Sequence, residues 1–356
     1  MNIRVGILTA PLIQYELTDN GFTIRNVRIG IGFHWDRCED QSFQGEITIR
    51  NNNDGTQTAV NTLDVEDYLC SVISSEMNSN SPIELLKAHA VISRSWAIRA
   101  IEANHINATN IKKQLYESNG HIGFDVCADD HCQRYEGTKR MNNKAIEAVK
   151  QTQHQVLMYN NTICDTRYHK CCGGKTEDFA TCWEDIHLPY LTSVDCTYCN
   201  TQNKQLLTSA LNDYDQETND FHDWIVTYSQ QELNQIVKQK SGIDFGNISD
   251  LIPLKRGLSG RIYQLQIVGT QRTETVGKEL KIRRLLSPTC LYSSWFDVKK
   301  QFNTKENQLY FILHGHGWGH GVGLCQIGAA AMAAQGADYK QILNFYYPNT
   351  TVQQYK

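Results

Sequence analysis

The sequence predicts an α+β fold, with mixed antiparallel strands and a two-helix wall around a substrate cleft. Three observations carry this. Residues 1–62 alternate apolar and polar side chains with turn residues between the runs, which is the period of a strand. Two stretches, 64–76 and 81–103, repeat their apolar residues at helical spacing. Strand-like patterning then returns over 155–170, 224–228 and 258–270.

In the first part, Asn51-Asn52-Asn53-Asp54-Gly55 is the clearest turn, with Asp-Gly at its centre, so this region reads as β-hairpins. In the first helix Val65, Tyr68, Leu69, Val72 and Ile73 share a face, and Asp64 stands at the N-cap. The second helix opens on Ser81-Pro82-Ile83-Glu84. Ser81 is the expected N-cap, Pro82 the first helical residue, and Glu84 the far side of a capping box. Its stripe runs Leu86, Ala90, Arg94, Ala97, Ile101. Further on, 144–151 and 230–238 read as short helices and 277–283 as strand-like. A glycine-rich loop at 315–323 precedes a small-residue helix from about Leu324 that ends at Gly336.

The chain of 356 residues carries a formal net charge of −4, which gives no electrostatic reason to expect a nucleic-acid partner. No run of 18 apolar residues occurs, so no integral membrane segment is expected. Ile3, Val5 and Ile7 alternate as in a strand, and no signal peptide is visible. Twelve cysteines leave the redox compartment open. The length suits about two domains, yet the polar stretch 200–220 reads as a surface excursion. The expectation is therefore one interwoven domain over 1–356, with a core motif region at 60–199 and a C-terminal loop region at 245–356.

Glu76 draws attention first. It continues the apolar face of the first helix and sits at that helix's C-terminal end. An apolar setting and the negative end of a helix dipole both disfavour a carboxylate. That is the environment of a general acid, although the same pattern fits a solvated Glu at a helix end. Arg94 interrupts a buried stripe and needs a carboxylate or ligand as partner. The segment His314–Gly323 holds five glycines in its last nine residues, with Trp318 and three histidines. Its N–H groups are candidates for meeting an anionic or hydroxyl-rich ligand. It matches neither a dinucleotide fingerprint nor a P-loop. Tyr168–Thr176 with Cys182 and Trp183, Cys127-x4-Cys132 with His131, and Cys196-x2-Cys199 are candidates for zinc, disulfides or plain structure. His169, Cys172 and Cys182 are the metal set taken from them. No second carboxylate stands out as a partner for Glu76.

Together these segments resemble the SpoIID/LytB family of bacterial cell-wall proteins over most of the chain. Val65–Leu69 leading into Val72–Met77 resembles the family's eYL-x-V-x-x-E-M block. Leu86–Ala97 resembles its LKAQAVAARTYA helix, with His89 and Ser95-Trp96 as departures. Tyr168-His169 with Cys172–Thr176 resembles its YHSTCGGxT turn, where Lys170-Cys171 replace two small hydroxylated residues. Gly257–Arg261 resembles its SGR segment, and Gly317–Ala329 its GWGHGVGMSQWGA segment, with Cys325 in place of Ser.

The resemblance implies a peptidoglycan lytic transglycosylase, a lyase acting on glycan strands denuded of stem peptides. It would cut MurNAc–GlcNAc bonds and leave 1,6-anhydro-MurNAc ends, with Glu76 catalytic. Such a reaction needs one essential carboxylate rather than the usual two. The alternative is a non-catalytic glycan-binding module that enhances a cell-wall amidase; a third reading is a zinc hydrolase. Lys87, Arg94, Tyr168, His169, His316, Trp318, His320 and Gln326 are the expected substrate-binding residues, with Trp318 stacking on a sugar face. No cofactor is required by this chemistry, and zinc is the one metal the residues suggest. The implied location is extracytoplasmic, in the periplasm or cell envelope.

Overall fold

A computed structural model describes residues 1–105, 121–218 and 220–355, without the side chains of 104 and 105. The architecture is α+β. The N-terminal half builds a four-stranded sheet in the order Glu46–Asn51, Gln57–Asp64, Asn2–Ala10, Val126–Cys127. The first two pairings are antiparallel and the last is parallel. Tyr15–Thr18, Gly21–Ile29 and Arg37–Gln44 form a separate antiparallel meander. Gly55, with φ of 83°, makes the expected turn. The C-terminal half holds two further antiparallel sheets, one of them ordered Asp223–Ser229, Gln308–His316, Phe296–Asn303.

Helix α1 (Val65–Glu76) and helix α2 (Ile83–His105) lie between these halves. Asp64 caps α1 by accepting from the Glu66 N–H. The start of α2 differs from expectation, because Ser81 and Glu84 do not close a capping box. Ser81 Oγ donates to the Ala210 carbonyl at 3.4 Å, and Glu84 accepts from Lys87 at 2.7 Å and from the Tyr339 N–H at 2.9 Å. Tertiary partners win over the local cap.

Nor does α2 present one apolar stripe. Leu86, Ala90, Ala97, Ala100 and Ile101 pack with α1 and the N-terminal sheet. Leu85, Ala88, Val91 and Ile92 pack into a second core with Met77, Trp318 and helix Gln326–Ala334. A helix buried on both sides has no solvent face on which to place a charge. Arg94, 1 % exposed, therefore takes a bidentate bridge to Glu66, at 2.8 and 2.6 Å, and donates to the Gln155 carbonyl. The bridge ties α2 to α1.

Two other segments depart from their sequence patterns. Residues Glu279–Leu285 are helical rather than strand-like, burying Ile282 and Leu285 against a third core. The polar stretch 200–220, of which residue 219 lies outside the described residues, is not a surface excursion. It contains helix Lys204–Ala210 and buries Asn212, Tyr214 and Asp215 against the end of α1.

The two glycine-rich segments meet face to face. Cys171 and Trp318 exchange both backbone hydrogen bonds, at 3.0 and 2.8 Å. A Cβ on Gly173 would lie 2.8 Å from the Gly317 nitrogen, so only glycine permits the contact. Arg261 fixes the pair from outside by donating to the carbonyls of Gly319 and Cys172.

Because Arg94 is sealed inside, Glu66→Ala should cost about 3–5 kcal/mol by leaving its charge unpaired. Urea unfolding of the variant measures this, and a loss below about 1 kcal/mol would refute the assignment.

Candidate active site

Helix α1 ends at Glu76 with carbonyls that no further turn can satisfy. Residues distant in sequence supply the donors. Lys170 Nζ donates to the Glu76 carbonyl at 2.8 Å, while Asn212 and Tyr214 donate to the Ser75 carbonyl at 2.7 and 3.1 Å. Lys170 also bridges Asp215 at 2.7 Å, and Asp215 in turn accepts from Arg134 at 3.4 Å. Arg134 pairs with Asp130 at 2.7 Å and lies 4.5 Å from the Trp35 ring centre.

The Glu76 side chain is 7 % exposed. Its Oε1 accepts from the Arg134 backbone N–H at 2.9 Å and from the Tyr168 hydroxyl at 2.8 Å. Among the described residues Oε2 takes no hydrogen bond, which leaves it the oxygen able to carry a proton to a ligand. Burial pushes the carboxyl above the ordinary glutamate value, and Arg134 and Lys170 pull it back only in part. Burial acts on Asp215 too, but Lys170 and Arg134 outweigh it and hold that carboxyl below the usual range. The two carboxyls are thereby driven apart.

Glu76 opens on a cavity of about 230 Å³. Phe33, Trp35 and Trp183 give it an aromatic lining, and Asp130, His131, Arg134 and Arg167 a polar one. Behind Tyr168 sits His89, whose ring meets the tyrosine edge-on at 4.6 Å. Gln326 Nε2 lies 2.9 Å from His89 Nε2. Burial, then Lys170, pushes His89 down to about 3, so it is neutral.

Comparison with known proteins gives the site its context. A family model described as Stage II sporulation protein matches residues 53–159, and a domain of unknown function matches 177–323. An uncharacterized protein of Brachyspira hyodysenteriae is 30% identical over 352 residues, covering 99% of this chain and 79% of that protein. Stage II sporulation protein D of Bacillus subtilis is 24% identical over 296 residues, covering 83% and 76%. The amidase enhancer of the same organism is 26% identical over 313 residues, covering 81% of this chain but only 40% of its own length.

The chain belongs to the SpoIID family.

In this SpoIID-family chain, the expected site residues divide. Tyr168, His169, Trp318, His320 and Gln326 all line the cavity with Glu76. Lys87, Arg94 and His316 do not. Lys87 pairs with Glu84, Arg94 with Glu66, and His316 with Asp223 at 2.6 Å. Trp318 is 3 % exposed and packs against His34, Trp35 and Tyr292, so it builds the wall rather than offering a free face. The N–H groups of the glycine-rich loop are also taken up internally. Those of Gly317, Trp318 and Gly319 donate to the carbonyls of His222, Cys171 and Tyr292, and that of Val322 to His320 Nδ1.

The metal set is redrawn. His169 Nδ1 meets the Val322 carbonyl, Cys182 donates to the His320 carbonyl, and neither approaches Cys172 as a co-ligand. Instead, His121, Cys127, His131 and Cys132 bring four ligand atoms within 4.8 Å of one another, and Cys172 gathers with Cys196, Cys199 and Cys325. Sequence reasoning noticed Cys127, His131 and Cys132 but not His121. It also missed Trp35, Asp130, Arg134 and Asp215. None of these stands in a segment with a helical or glycine-rich signature.

The raised Glu76 value has a consequence for stability. A carboxyl whose folded value exceeds its unfolded value favours the fold below the unfolded value, about 4.3. That contribution fades as pH rises through the folded value. Glu76→Gln should therefore melt with wild type in acid and above it near neutrality, as read by thermal unfolding across pH. The assignment fails if wild type gains on the variant as pH rises.

Proposed function

We propose that this protein is a peptidoglycan lytic transglycosylase with Glu76 as its single acid–base. The observation that supports the proposal is a buried carboxyl whose proton affinity burial raises, held through one oxygen and open at the other, at the mouth of an aromatic-lined cavity. Glu76 Oε2 gives its proton to the glycosidic oxygen between MurNAc and GlcNAc as the C1–O bond breaks. The carboxylate then takes the proton of the muramyl C6 hydroxyl, whose oxygen closes on C1. No water is consumed, and Glu76 ends protonated. Tyr168 and the Arg134 N–H stabilise the transient carboxylate on Oε1. Asp215 is committed to Lys170 and Arg134 and does not serve as a second catalytic group.

Aromatic walls and neutral histidines suit the apolar faces and the hydroxyls of a sugar strand. Burial, then Arg261, pushes His169 down to about 3, and its Nε2 is buried without a partner among the described residues. That nitrogen is an acceptor with no internal donor among the described residues, on a residue that lines the cavity. Peptidoglycan lies outside the cytoplasm, so the proposed site of action is the cell envelope.

Zinc is a proposed component near the cavity. Two histidines and two cysteines at His121, Cys127, His131 and Cys132 are a donor set that zinc accepts. Zinc there would fix the segment that ends at Arg134, whose N–H holds Glu76. Wild type should carry zinc that Cys132→Ser loses, by elemental analysis; equal zinc in both would remove this assignment.

Digestion of denuded glycan strands, read by mass spectrometry, tests the main proposal. Wild type should release 1,6-anhydro ends, and Glu76→Gln should slow release by about 10²–10⁴-fold. Equal release by both overturns it. Glycan binding without anhydro ends, together with stimulation of a cell-wall amidase, would favour instead the function in the name of the amidase-enhancer relative.

A further inference from the structure

The sulfurs of Cys172, Cys196, Cys199 and Cys325 lie within 4.8 Å of one another, and all four residues are fully buried. They come from three places in the chain. Cys172 begins the glycine turn against Gly317, Cys196 caps and Cys199 ends the short turn Thr197–Cys199, and Cys325 is the N-cap of helix Gln326–Ala334. We propose that these four cysteines form a closed, structural four-thiolate zinc centre behind the cavity, distinct from the His121–Cys132 group and taking no direct part in proton transfer by Glu76.

The spacing suits a metal. Zinc bonds to sulfur at about 2.3 Å, so a tetrahedral site has sulfur–sulfur edges of about 3.8 Å. Cys172 and Cys199 are 3.3 Å apart, and the remaining distances stay within the 4.8 Å limit. A disulfide would need about 2.05 Å. It would also use two sulfurs of a set that converges as four.

The surroundings suit thiolates. Cys325 Sγ accepts from the backbone N–H groups of Cys172 at 3.2 Å and Gly328 at 3.4 Å. It does so at a helix N-terminus, where negative charge is favoured. Tyr346 Oη lies 3.2 Å from Cys196 Sγ. A Cβ on Gly328 would come within 2.9 Å of Cys196 Sγ, so the helix can approach the sulfurs only through glycine. Zinc binding would release four thiol protons to solvent and leave a net charge of about −2. These N–H and O–H donors face that charge. Cys325 is also the residue where the chain departs from the family's Ser, and without it the set has three ligands.

The centre would act on the site through one strand. Tyr168-His169 pairs in parallel with Leu324-Cys325, in the register Tyr168 to Leu324 and His169 to Cys325. A metal that holds Cys172 and Cys325 therefore clamps both ends of the connection that positions Tyr168 and Lys170.

The test begins by removing the other group with the double substitution Cys127→Ser, Cys132→Ser in the full chain. Elemental analysis should still find about one zinc per chain. Cobalt exchanged into that protein should show the strong sulfur-to-metal charge-transfer band and visible bands of a tetrahedral thiolate site. Adding Cys199→Ser should bring the metal close to zero, whereas adding Cys164→Ser, at a buried cysteine away from the group, should leave it unchanged. Zinc content insensitive to Cys199→Ser overturns the proposal. So does a Cys172–Cys199 or Cys196–Cys199 disulfide found at full occupancy by peptide mapping of unreduced protein. Should Cys199→Ser fail to fold, X-ray absorption on wild-type protein decides. An average of about three or more sulfurs per zinc supports the centre, and about two, the content of the His121–Cys132 group alone, overturns it.

Discussion

Lys170 reaches into the last turn of α1 and satisfies a carbonyl there, and much of the surrounding structure answers to that one buried ammonium. A cation so enclosed needs a carboxylate, and Asp215 supplies it. Asp215 then also meets Arg134, which has Asp130 as its second partner. Two cations are thus matched by two carboxylates without Glu76. Glu76 is left close to positive charge but not required to neutralise it, which is why burial can still raise its proton affinity.

The pairing of these groups also explains why the site could be read only in part from sequence. α1, its N-cap and the inward position of Glu76 follow from periodicity and capping, and the structure repeats them. Tyr168, His169, His320 and Gln326 stand in segments dense enough in glycine and aromatics to be noticed. Asp215 stands in a run of Asn, Gln, Asp and Thr, where polarity suggests solvent. Only the other side of the contact, the unsatisfied end of α1, reveals that this run is buried. Arg134 is missed for a related reason, since what it offers Glu76 is a backbone N–H, and backbone groups carry no residue signature. Lys87 and Arg94 show the opposite case, since neither lines the cavity. Their positions on α2 fit a cleft wall, but α2 is enclosed on both sides, so one bridges locally and the other bridges to α1.

The departures from the family pattern fall close to one another in space. Lys170 supplies the ammonium at α1, His89 stands neutral behind Tyr168, and Cys325 adjoins Gln326, which contacts His89. Substituting one of them alone would weaken a match: Asp215 would keep only Arg134, or Gln326 would lose its ring nitrogen. Buried polar groups of this kind are costly when unmatched, so these positions are expected to vary together.

The parallel pairing of Tyr168-His169 with Leu324-Cys325 carries a last consequence, for assembly in time. Glu76 is made early in the chain, yet the strand that aims a hydroxyl at it has its only described neighbour far towards the C-terminus. Contacts so distant in sequence form late, because a long loop must close before they bring any gain. During synthesis or passage through a membrane, α1 and the N-terminal sheet can fold while Glu76 still lacks Tyr168 and Lys170. A site built in this order would stay incomplete until nearly the whole chain had emerged.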